Sequence, residues 1–344
     1  MGKVMPVAYQ IAFDLGTSYS AAYSDIKKKT VWEPTVMAFD KRKQQIIAYG
    51  SRAKSMIGFT PPHLEILQPL KAGIACDFDL VNPFLQFLTR QITGRRKLFV
   101  SRILVCLPYG TTGVEARAYR NQLQANFLTK VHLVRQPLAA AIGAGLDIFE
   151  SKAKIIVNIG GGITEIALIS IGGFVKCVTL QAAGHAMDQA ILNHLEHAYH
   201  FSAGDQRIED IKIKYASVDE TQINFPIEIK GMDRLTRLPR SITIPKKVLT
   251  EAITPVVEQI LEGIDSVFET TTPEIANDIA SEGIYLTGGG AHLPGWQRII
   301  KDRFGVSVKI PSEPELCIIK GLKKILENYS RYQDILEKAK SCVP

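Results

Sequence analysis

No run of about eighteen uncharged apolar residues occurs in the 344-residue chain, which excludes a membrane-spanning helix by sequence. The opening stretch MGKVMPVAYQIAFDLG lacks the apolar core and small-residue cleavage site of a secretory signal. Gly2 is followed by Pro6 where a myristoylation pattern needs Ser or Thr. Cysteine is sparse: Cys76, Cys106, Cys177, Cys317 and Cys342 are odd in number and far apart. They form no CxxC or Cys/His cluster, which argues against a zinc site or a disulfide framework. Reduced thiols in a cytoplasmic compartment are therefore expected. Low-complexity runs are also missing, so no disordered tail is indicated.

What the chain does have is ordinary globular composition, 46% hydrophobic and 22% charged. Its length calls for two domains. The net charge of +7 is spread out, with one dense knot, GRRK at Gly94–Lys97. Such an excess favours acidic partners, namely phosphate ligands, anionic lipid or nucleic acid, and equally suits a solvated basic face.

Periodicity predicts strands at VAYQIAFDL, SAAYSD, EPTVMAFD and SRILVCLP. VEARAYRNQLQANFL has helical spacing, and VHLVRQP then LAAAIGAGLDIF read as strand then helix. From Lys154 the pattern restarts, with AKIIVNIGGG, TEIALISIGG and FVKCVTLQA as strands separated by glycine turns. Helices AMDQAILNHLEHAYH and QRIEDIKIKYA follow, then a hairpin from INFPIEIKG and RSITIPKK. VLTEAITPVVEQILEGIDSVFE is a long amphipathic helix, GIYLTGGG a strand meeting glycines, and PELCIIKGLKKILENYSRYQDILEKA a closing helix. The same grammar occurs twice, which predicts a duplicated α/β layout with ligands at the carboxyl ends of strands.

Three loops suit a nucleotide. In FDLGTSYS, Asp14 ends a strand, Gly16 permits tight bending, and Thr17, Ser18 and Ser20 offer hydroxyls and amides. Exposed turn amides cradle anions, and an aspartate holds a hydrated cation through water. In NIGGGITE, the consecutive Gly160, Gly161 and Gly162 are entropically costly and fit close backbone approach to a ligand. In LTGGGAHLPG, Gly288, Gly289 and Gly290 lie between a strand and a helix, where a nucleoside face or phosphate is accommodated. Singly, each has a plainer reading as a turn, a bulged hairpin or a strand–helix connection. None is the GxxxxGK[ST] loop or a GxGxxG fingerprint. The weight lies in the ordered set.

In that order the loops resemble the actin-like ATPase superfamily, and within it the MreB-type bacterial actins. The resemblance rests on DLGT (Asp14–Thr17), LKAGIACDF (Leu70–Phe78), QPLAAAIGAGL (Gln136–Leu146) and GGGITEIALIS (Gly160–Ser170). It continues through IEDIK (Ile208–Lys212), IEIKGMDRLTRLPRSITI (Ile227–Ile244), LTGGGAHLPG and ELCIIKG (Glu315–Gly321), nearly the whole length. It implies an α/β actin-like fold of two duplicated lobes with a nucleotide cleft between them. The first lobe would be residues 1–146 plus 316–338, with a small subdomain within about 33–66. The second would be 147–315, with a small subdomain within about 183–246.

The resemblance further implies ATP or ADP with Mg²⁺ as ligand. Asp14, Gly16, Thr17 and Ser18 would take phosphate, as would Asn158 and Gly160–Gly162, with Asp14 and Asn158 holding the cation through water. Gly288–Gly290 would lie against base and ribose, and Glu209 and Lys212, three apart on one helix face, would reach sugar and adenine. Without the resemblance, that last pair reads as a surface ion pair.

Three positions depart from the MreB pattern. Asn158 stands where an aspartate is usual, Gln136 where a glutamate precedes the proline, and Ile163 where a threonine follows the glycines. Gln136 can orient a water, as in conventional actin, but an amide accepts no proton at neutral pH. Asn158 removes one negative charge from the cation site, and Ile163 deletes a hydroxyl. The expectation is nucleotide binding with weak ATPase activity at most.

In MreB-like proteins a short hydrophobic loop enters the bilayer at the place occupied here by Arg95, Arg96, Lys97, Leu98 and Phe99. Leu98 and Phe99 read equally as the start of a buried strand. The resemblance also implies self-assembly, as double antiparallel protofilaments, with anionic inner-membrane lipid and membrane proteins as partners and no nucleic acid. The expected location is the inner face of the cell membrane, and the expected role is cell shape or internal positioning. Two alternatives are a small-molecule kinase of the same superfamily and a non-polymerising membrane adaptor. The kinase lacks a clear catalytic acid, and the short tail YQDILEKAKSCVP disfavours the adaptor.

Overall fold

The computed structural model describes residues 8–71, 74–75, 78–94, 99–221 and 223–336. The chain divides into two units, one of Met1–Glu150, Ile169–Gly173 and Leu316–Pro344, the other of Ser151–Leu168 and Phe174–Glu315.

The first unit opens with β1 (Tyr9–Leu15), whose last five residues are all buried. A strand so uniformly buried must be covered on both faces, which suits the centre of a sheet. It pairs antiparallel with β2 (Tyr19–Ser24), which pairs antiparallel with β3 (Lys29–Pro34). A small three-stranded sheet follows, from β4 (Met37–Asp40), β5 (Gln45–Tyr49) and β6 (Leu64–Leu67), with the short helix α1 (Gly50–Lys54). Beyond the two-residue pair β7 (Leu70–Lys71) and β8 (Ile74–Ala75) comes α2 (Phe78–Thr93).

Next come β9 (Val100–Leu107), α3 (Gly113–Phe127), β10 (Lys130–Arg135) and α4 (Gln136–Gly143). Thr112 and Glu115 close a reciprocal capping box at the start of α3, satisfying amides that the first turn leaves without partners. The main sheet runs β10-β9-β1-β2-β3, with β1, β9 and β10 parallel.

The second unit restarts with β11 (Lys154–Ile159), β12 (Thr164–Ser170) and β13 (Gly173–Leu180), then α5 (Gly184–Tyr199). All six residues of β11 are buried. Then come β14 (Phe201–Ser202), α6 (Asp205–Tyr215), the hairpin β15 (Pro226–Asp233) and β16 (Pro239–Pro245), and α7 (Lys247–Phe268). The unit closes with α8 (Pro273–Glu282), β17 (Ile284–Thr287), α9 (Trp296–Phe304) and β18 (Val308–Lys309). Its main sheet runs β13-β12-β11-β17-β18. In both units three successive strands form one side of the sheet, and two later strands extend it beyond the first. The repeated grammar of the sequence is a repeated strand order.

Finally α10 (Cys317–Glu327) returns to the first unit and crosses α4 at close range. A methyl on Gly143 would lie 1.7 Å from the Cys317 carbonyl oxygen, and one on Gly321 would lie 1.8 Å from that of Ala139. The helix crossing therefore requires residues without side chains.

Three elements differ from the sequence reading. EPTVMAFD is divided between two sheets, because Pro34 ends β3 and Thr35 turns inward to bind the carbonyl of Gly16. The helix expected over LAAAIGAGLDIF stops at Gly143, just before Gly145 takes φ 94°, where helical backbone cannot continue. The closing helix stops at Glu327, with Asn328 at φ −126° and ψ 45°. Arg102 stacks over Tyr329 at 3.5 Å, and Arg331 pairs with Asp147 at 2.6 Å. Tertiary contacts hold this segment where continued helix would not place it. Residues 337–344 of the expected tail lie outside the described residues.

Candidate functional site

In the first unit the site begins at the carboxyl end of β1. Asp14 is buried, and burial pushes its carboxyl pKa up to about 7. The charge is costly there because water is excluded. A divalent cation nearby, or donors aimed at the carboxylate, would restore the ionised form. Tyr119 lies within its field: burial first, then the charge of Asp14, raises the phenol pKa.

The turn after Asp14 is held from its inner side. Thr35 Oγ1 donates to the Gly16 carbonyl at 2.8 Å and shares a 2.8 Å hydrogen bond with Ser20 Oγ. The Thr35 amide donates to the Ser18 carbonyl at 2.9 Å. Thr17 is buried and Ser18 half-buried. Thr35 was not singled out in the sequence, since its role requires the bend between two sheets.

Gln136 is the first residue of α4, immediately beyond β10, and is 4% exposed. The strands β1 and β10 flank β9 in parallel, so Asp14 and Gln136 occupy the same end of one sheet. Arg135 Nη1 donates to the carbonyls of Pro108, Tyr109 and Thr111 at 2.8, 3.1 and 3.1 Å. That guanidinium fixes the loop after β9 beside the start of α4.

In the second unit two glycine loops lie side by side. β11 and β17 pair in parallel with Asn158 opposite Thr287, so both loops leave the same end of adjacent strands. Thr287 Oγ1 donates to Asn158 Oδ1 at 3.2 Å. Gly288 has φ 81°, and a methyl there would meet the Ile159 carbonyl oxygen at 2.3 Å. A side chain at Gly290 would meet Ile159 Cγ2 at 2.2 Å, whereas Gly289 is exposed and a methyl there would meet nothing within 4 Å. Two glycines thus serve packing of loop on loop, and the middle one leaves space open. Trp296, itself buried, donates from Nε1 to the Gly290 carbonyl at 3.0 Å.

The loop of Gly160, Gly161 and Gly162 is closed by the Gly160 amide donating to the carbonyl of buried Ile163 at 2.9 Å. It is tied to the start of α5, whose Gly184 and His185 amides donate to the carbonyls of Gly160 and Gly161 at 3.0 and 2.8 Å. Lys212 Nζ donates to the Gly184 carbonyl at 2.9 Å and pairs with Asp188 at 2.7 Å, almost out of water. Burial raises the Asp188 pKa, Lys212 opposes that rise and Glu209 adds to it. The lysine therefore joins α6 to the start of α5 under the glycine loop. Asp188, Gly184 and Thr287 escaped the sequence reading. Only the partner lysine, one turn inside a helix in IEDIK, carried a signal.

Each unit offers its own donors: the first a buried carboxylate of the kind a hard cation accepts, the second glycine-loop backbone of the kind a phosphate can approach. Among the described residues no group of three or more His, Cys, Asp or Glu side chains could hold a metal by itself. In the first unit by itself, a buried carboxylate such as that of Asp14, completed by waters and phosphate oxygens, is the kind of ligand Mg²⁺ prefers. Of the basic loop, Arg95, Arg96, Lys97 and Leu98 lie outside the described residues. Phe99 is 61% exposed just before β9, and its carbonyl accepts the Tyr9 amide at 2.9 Å.

The model of the MreB/Mbl protein family matches residues 8–334. Cell shape-determining protein Mbl of Bacillus subtilis (strain 168) is 34% identical over 324 residues, spanning 94% of this chain and 97% of that protein. Cell shape-determining protein MreB of Escherichia coli (strain K12) is 33% identical over 322 residues, spanning 92% and 93%. Among solved structures, MreB5 of Spiroplasma citri bound to AMPPNP superposes with a TM-score of 0.89 at 26% identity, covering 95% of this chain and 98% of that one. Its ADP-bound structure gives 0.88 at 27% identity, covering 95% and 99%. The MamK double helical filament gives 0.77 at 18% identity, covering 93% of this chain and 99% of that one, a likeness of fold alone.

Proposed function

The chain belongs to the MreB/Mbl family of cell shape-determining, actin-like proteins, and from that premise we propose that it is a nucleotide-dependent cytoskeletal subunit. It binds ATP or ADP with Mg²⁺, assembles with further copies of itself into filaments, and works at the inner face of the cell membrane in cell shape or internal positioning. The observation that carries this reading is the pair of adjacent glycine loops at the ends of β11 and β17, joined to the start of α5. The binding of AMPPNP and ADP by the similar MreB5 supports it.

In this reading the Gly160–Gly162 loop receives phosphates and Gly288–Gly290 receives base and ribose. Asp14, Gly16, Thr17 and Ser18 contribute from the first unit. The lobe bounds 1–146 with 316–338, and 147–315, belong to the same reading. Asp14, whose burial disfavours a bare charge, would hold the cation and be neutralised by it. Hydrolysis is slow, because Gln136 offers a water no base, Asn158 brings no charge to the cation, and Ile163 brings no hydroxyl to phosphate or water. General-base help is worth roughly 10²–10⁴ in rate. Head-to-tail contacts that do not close generate filaments. Phe99, with the basic residues before it, provides a weak membrane contact that assembly multiplies through avidity.

The test is sedimentation of the full chain with ATP and Mg²⁺, together with phosphate release. Pelleting that depends on nucleotide, with little phosphate released, is expected. A chain that stays monomeric with ATP, or that releases phosphate as fast as a variant carrying Asn158→Asp, Gln136→Glu and Ile163→Thr together, contradicts the proposal.

A further inference from the structure

The main sheet of the first unit ends on β3, and among the described residues no strand pairs with the outer edge of that strand. The hydrogen-bond phase of the sheet decides which groups the edge presents. In the β2–β3 register Ser20 stands opposite Glu33, and Ala22 opposite Val31. The Thr35 amide donates to the Ser18 carbonyl at 2.9 Å in the same register. Bonded and non-bonded pairs alternate in an antiparallel ladder, so Glu33, Val31 and Lys29 turn their main-chain groups toward β2. Thr30 and Trp32 therefore turn theirs outward. Both residues are exposed, Trp32 at 43%.

An open edge of this kind is a template for a further strand. It is bounded at both ends. Lys28, at φ 50°, is off strand backbone, and Pro34 has no amide hydrogen, while its carbonyl takes the Val36 amide at 2.9 Å. Only Lys29–Glu33 are left for pairing. Lys29, Val31 and Glu33 share one face, and Thr30 and Trp32 the other. Trp32 lies flat on Tyr19 with ring centroids 3.9 Å apart, and Lys54 Nζ donates to the Tyr19 hydroxyl at 3.2 Å. Lys29 Nζ donates to the Gln91 carbonyl at 2.8 Å, and Glu33 Oε2 accepts the Ser51 amide and hydroxyl, each at 2.9 Å. These bonds fix both charged side chains and leave the lysine further hydrogens and the glutamate its Oε1.

We propose that β3 pairs antiparallel with β3 of a second copy of the chain, across a twofold axis at Val31. In that register Thr30 of each copy faces Trp32 of the other, so every outward amide meets an outward carbonyl. Lys29 of each copy faces Glu33 of the other, and opposite charges directly across a ladder attract. A ladder centred on Thr30 or Trp32 instead sets Lys29 or Glu33 against Val31 and is shorter. Self-complementarity of charge and of main-chain groups therefore selects a second copy over an unrelated strand. The contact is isologous and closes on two copies, unlike the head-to-tail contact that builds a filament. It falls far below the roughly 20–30 residues a side of a stable interface, so single chains pair weakly. Assembled copies that present the edge side by side multiply it.

The test is oxidative cross-linking of the full chain carrying Val31→Cys, with and without ATP and Mg²⁺, against wild type as background for the native cysteines. The pair on the axis is a non-bonded one, with Cα atoms about 4.5 Å apart and within disulfide reach. Val31→Cys is expected to give a disulfide-linked dimer, more of it with ATP. Thr30→Cys, whose two copies lie about 7–8 Å apart on the ladder, is expected to give none. Thr30→Pro removes an amide that faces away from β2, so thermal unfolding and pelleting with ATP stay as in wild type. Added to Val31→Cys it should lower the dimer yield at least about tenfold, and Lys29→Glu should lower it several-fold. Dimer no greater than wild type in either condition overturns the proposal, as do equal yields from Val31→Cys and Thr30→Cys. Loss of pelleting in Thr30→Pro that is still folded assigns the edge to head-to-tail contact and also overturns it. A chain that never pellets yet cross-links through Val31→Cys contradicts filament assembly and leaves this pairing standing.

Discussion

The two units place different chemistry at the same point of the same architecture. Asp14 is the last residue but one of β1, and Asn158 is the last but one of β11. Each strand is the third in a five-stranded sheet of matching order. Asp14 carries a buried carboxyl whose pKa is raised to about 7, whereas Asn158 carries an amide whose oxygen accepts the Thr287 hydroxyl. One unit therefore holds a carboxyl whose charge is costly, and the other an amide that is satisfied within the protein. The two strand ends are equivalent in the architecture, and only one of them carries an ionisable side chain.

The largest expected effect comes from making the two ends alike with Asp14→Asn. The folded-state pKa of Asp14 lies above the ordinary aspartate value of 3.8, so the native protein holds the proton more tightly than the unfolded chain. Stability from this group is full below about pH 4, falls as pH rises toward 7, and is flat beyond. The variant should therefore be more stable than wild type at pH 8, by on the order of 4 kcal/mol as an upper figure, and equal to it near pH 4. Urea unfolding across pH without nucleotide checks this, and identical pH dependence in the two proteins refutes it. The same variant should lose most of the Mg²⁺ dependence of nucleotide affinity.

Next in size is Lys212→Met, which removes the partner of Asp188 in the second unit. Breaking a buried pair from one side costs about 3–5 kcal/mol, and the exposure remaining at this pair places the effect at about 3. Adding Asp188→Leu should recover most of it, as thermal unfolding of the single and double variants would reveal. If the single variant unfolds with wild type, the pair contributes nothing under the glycine loop.

Restoring the acid, base and hydroxyl together, through Asn158→Asp, Gln136→Glu and Ile163→Thr, is expected to raise phosphate release by about 10², or about 2.7 kcal/mol in barrier. Single-turnover measurement of phosphate release separates this from any change in nucleotide affinity. Equal rates would mean that the difference between the two strand ends has no catalytic consequence.

The smallest effects compare the hydroxyls that hold each unit's turn. Thr35 Oγ1 binds the Gly16 carbonyl at 2.8 Å, and Thr164 Oγ1 binds the Ala182 carbonyl at 2.6 Å. Thr35→Val and Thr164→Val should each cost about 1 kcal/mol. Thr35→Val should also weaken nucleotide binding, because its turn is part of the proposed site. Calorimetry that finds the affinity unchanged would remove that turn from the site.

Much of this was legible beforehand because it is local. An apolar run such as KIIVNI reads as a buried strand, and glycines in series mark backbone that must bend or be approached closely. The hairpin and the restart at Lys154 were readable in the same way. The division of EPTVMAFD between two sheets was not, because Thr35 turns inward for a carbonyl nineteen residues away. The end of α10 at Glu327 was equally hidden, since KKILENYSRYQDIL keeps helical spacing while contacts with Arg102 and Asp147 hold it elsewhere. Lys212 was noticed for its spacing from Glu209, but its bond to Asp188 joins two helices.

By itself the sequence determined which runs form buried strands and where glycines let the backbone turn, since side-chain period and the φ freedom of glycine act within a few residues. Tertiary structure alone decided that Asn158 lies opposite Thr287, that Gly288 must have no side chain beside Ile159, and that Asp14 is buried enough to resist ionisation. Pairing and burial depend on groups more than a hundred residues apart, and no local pattern carries that information.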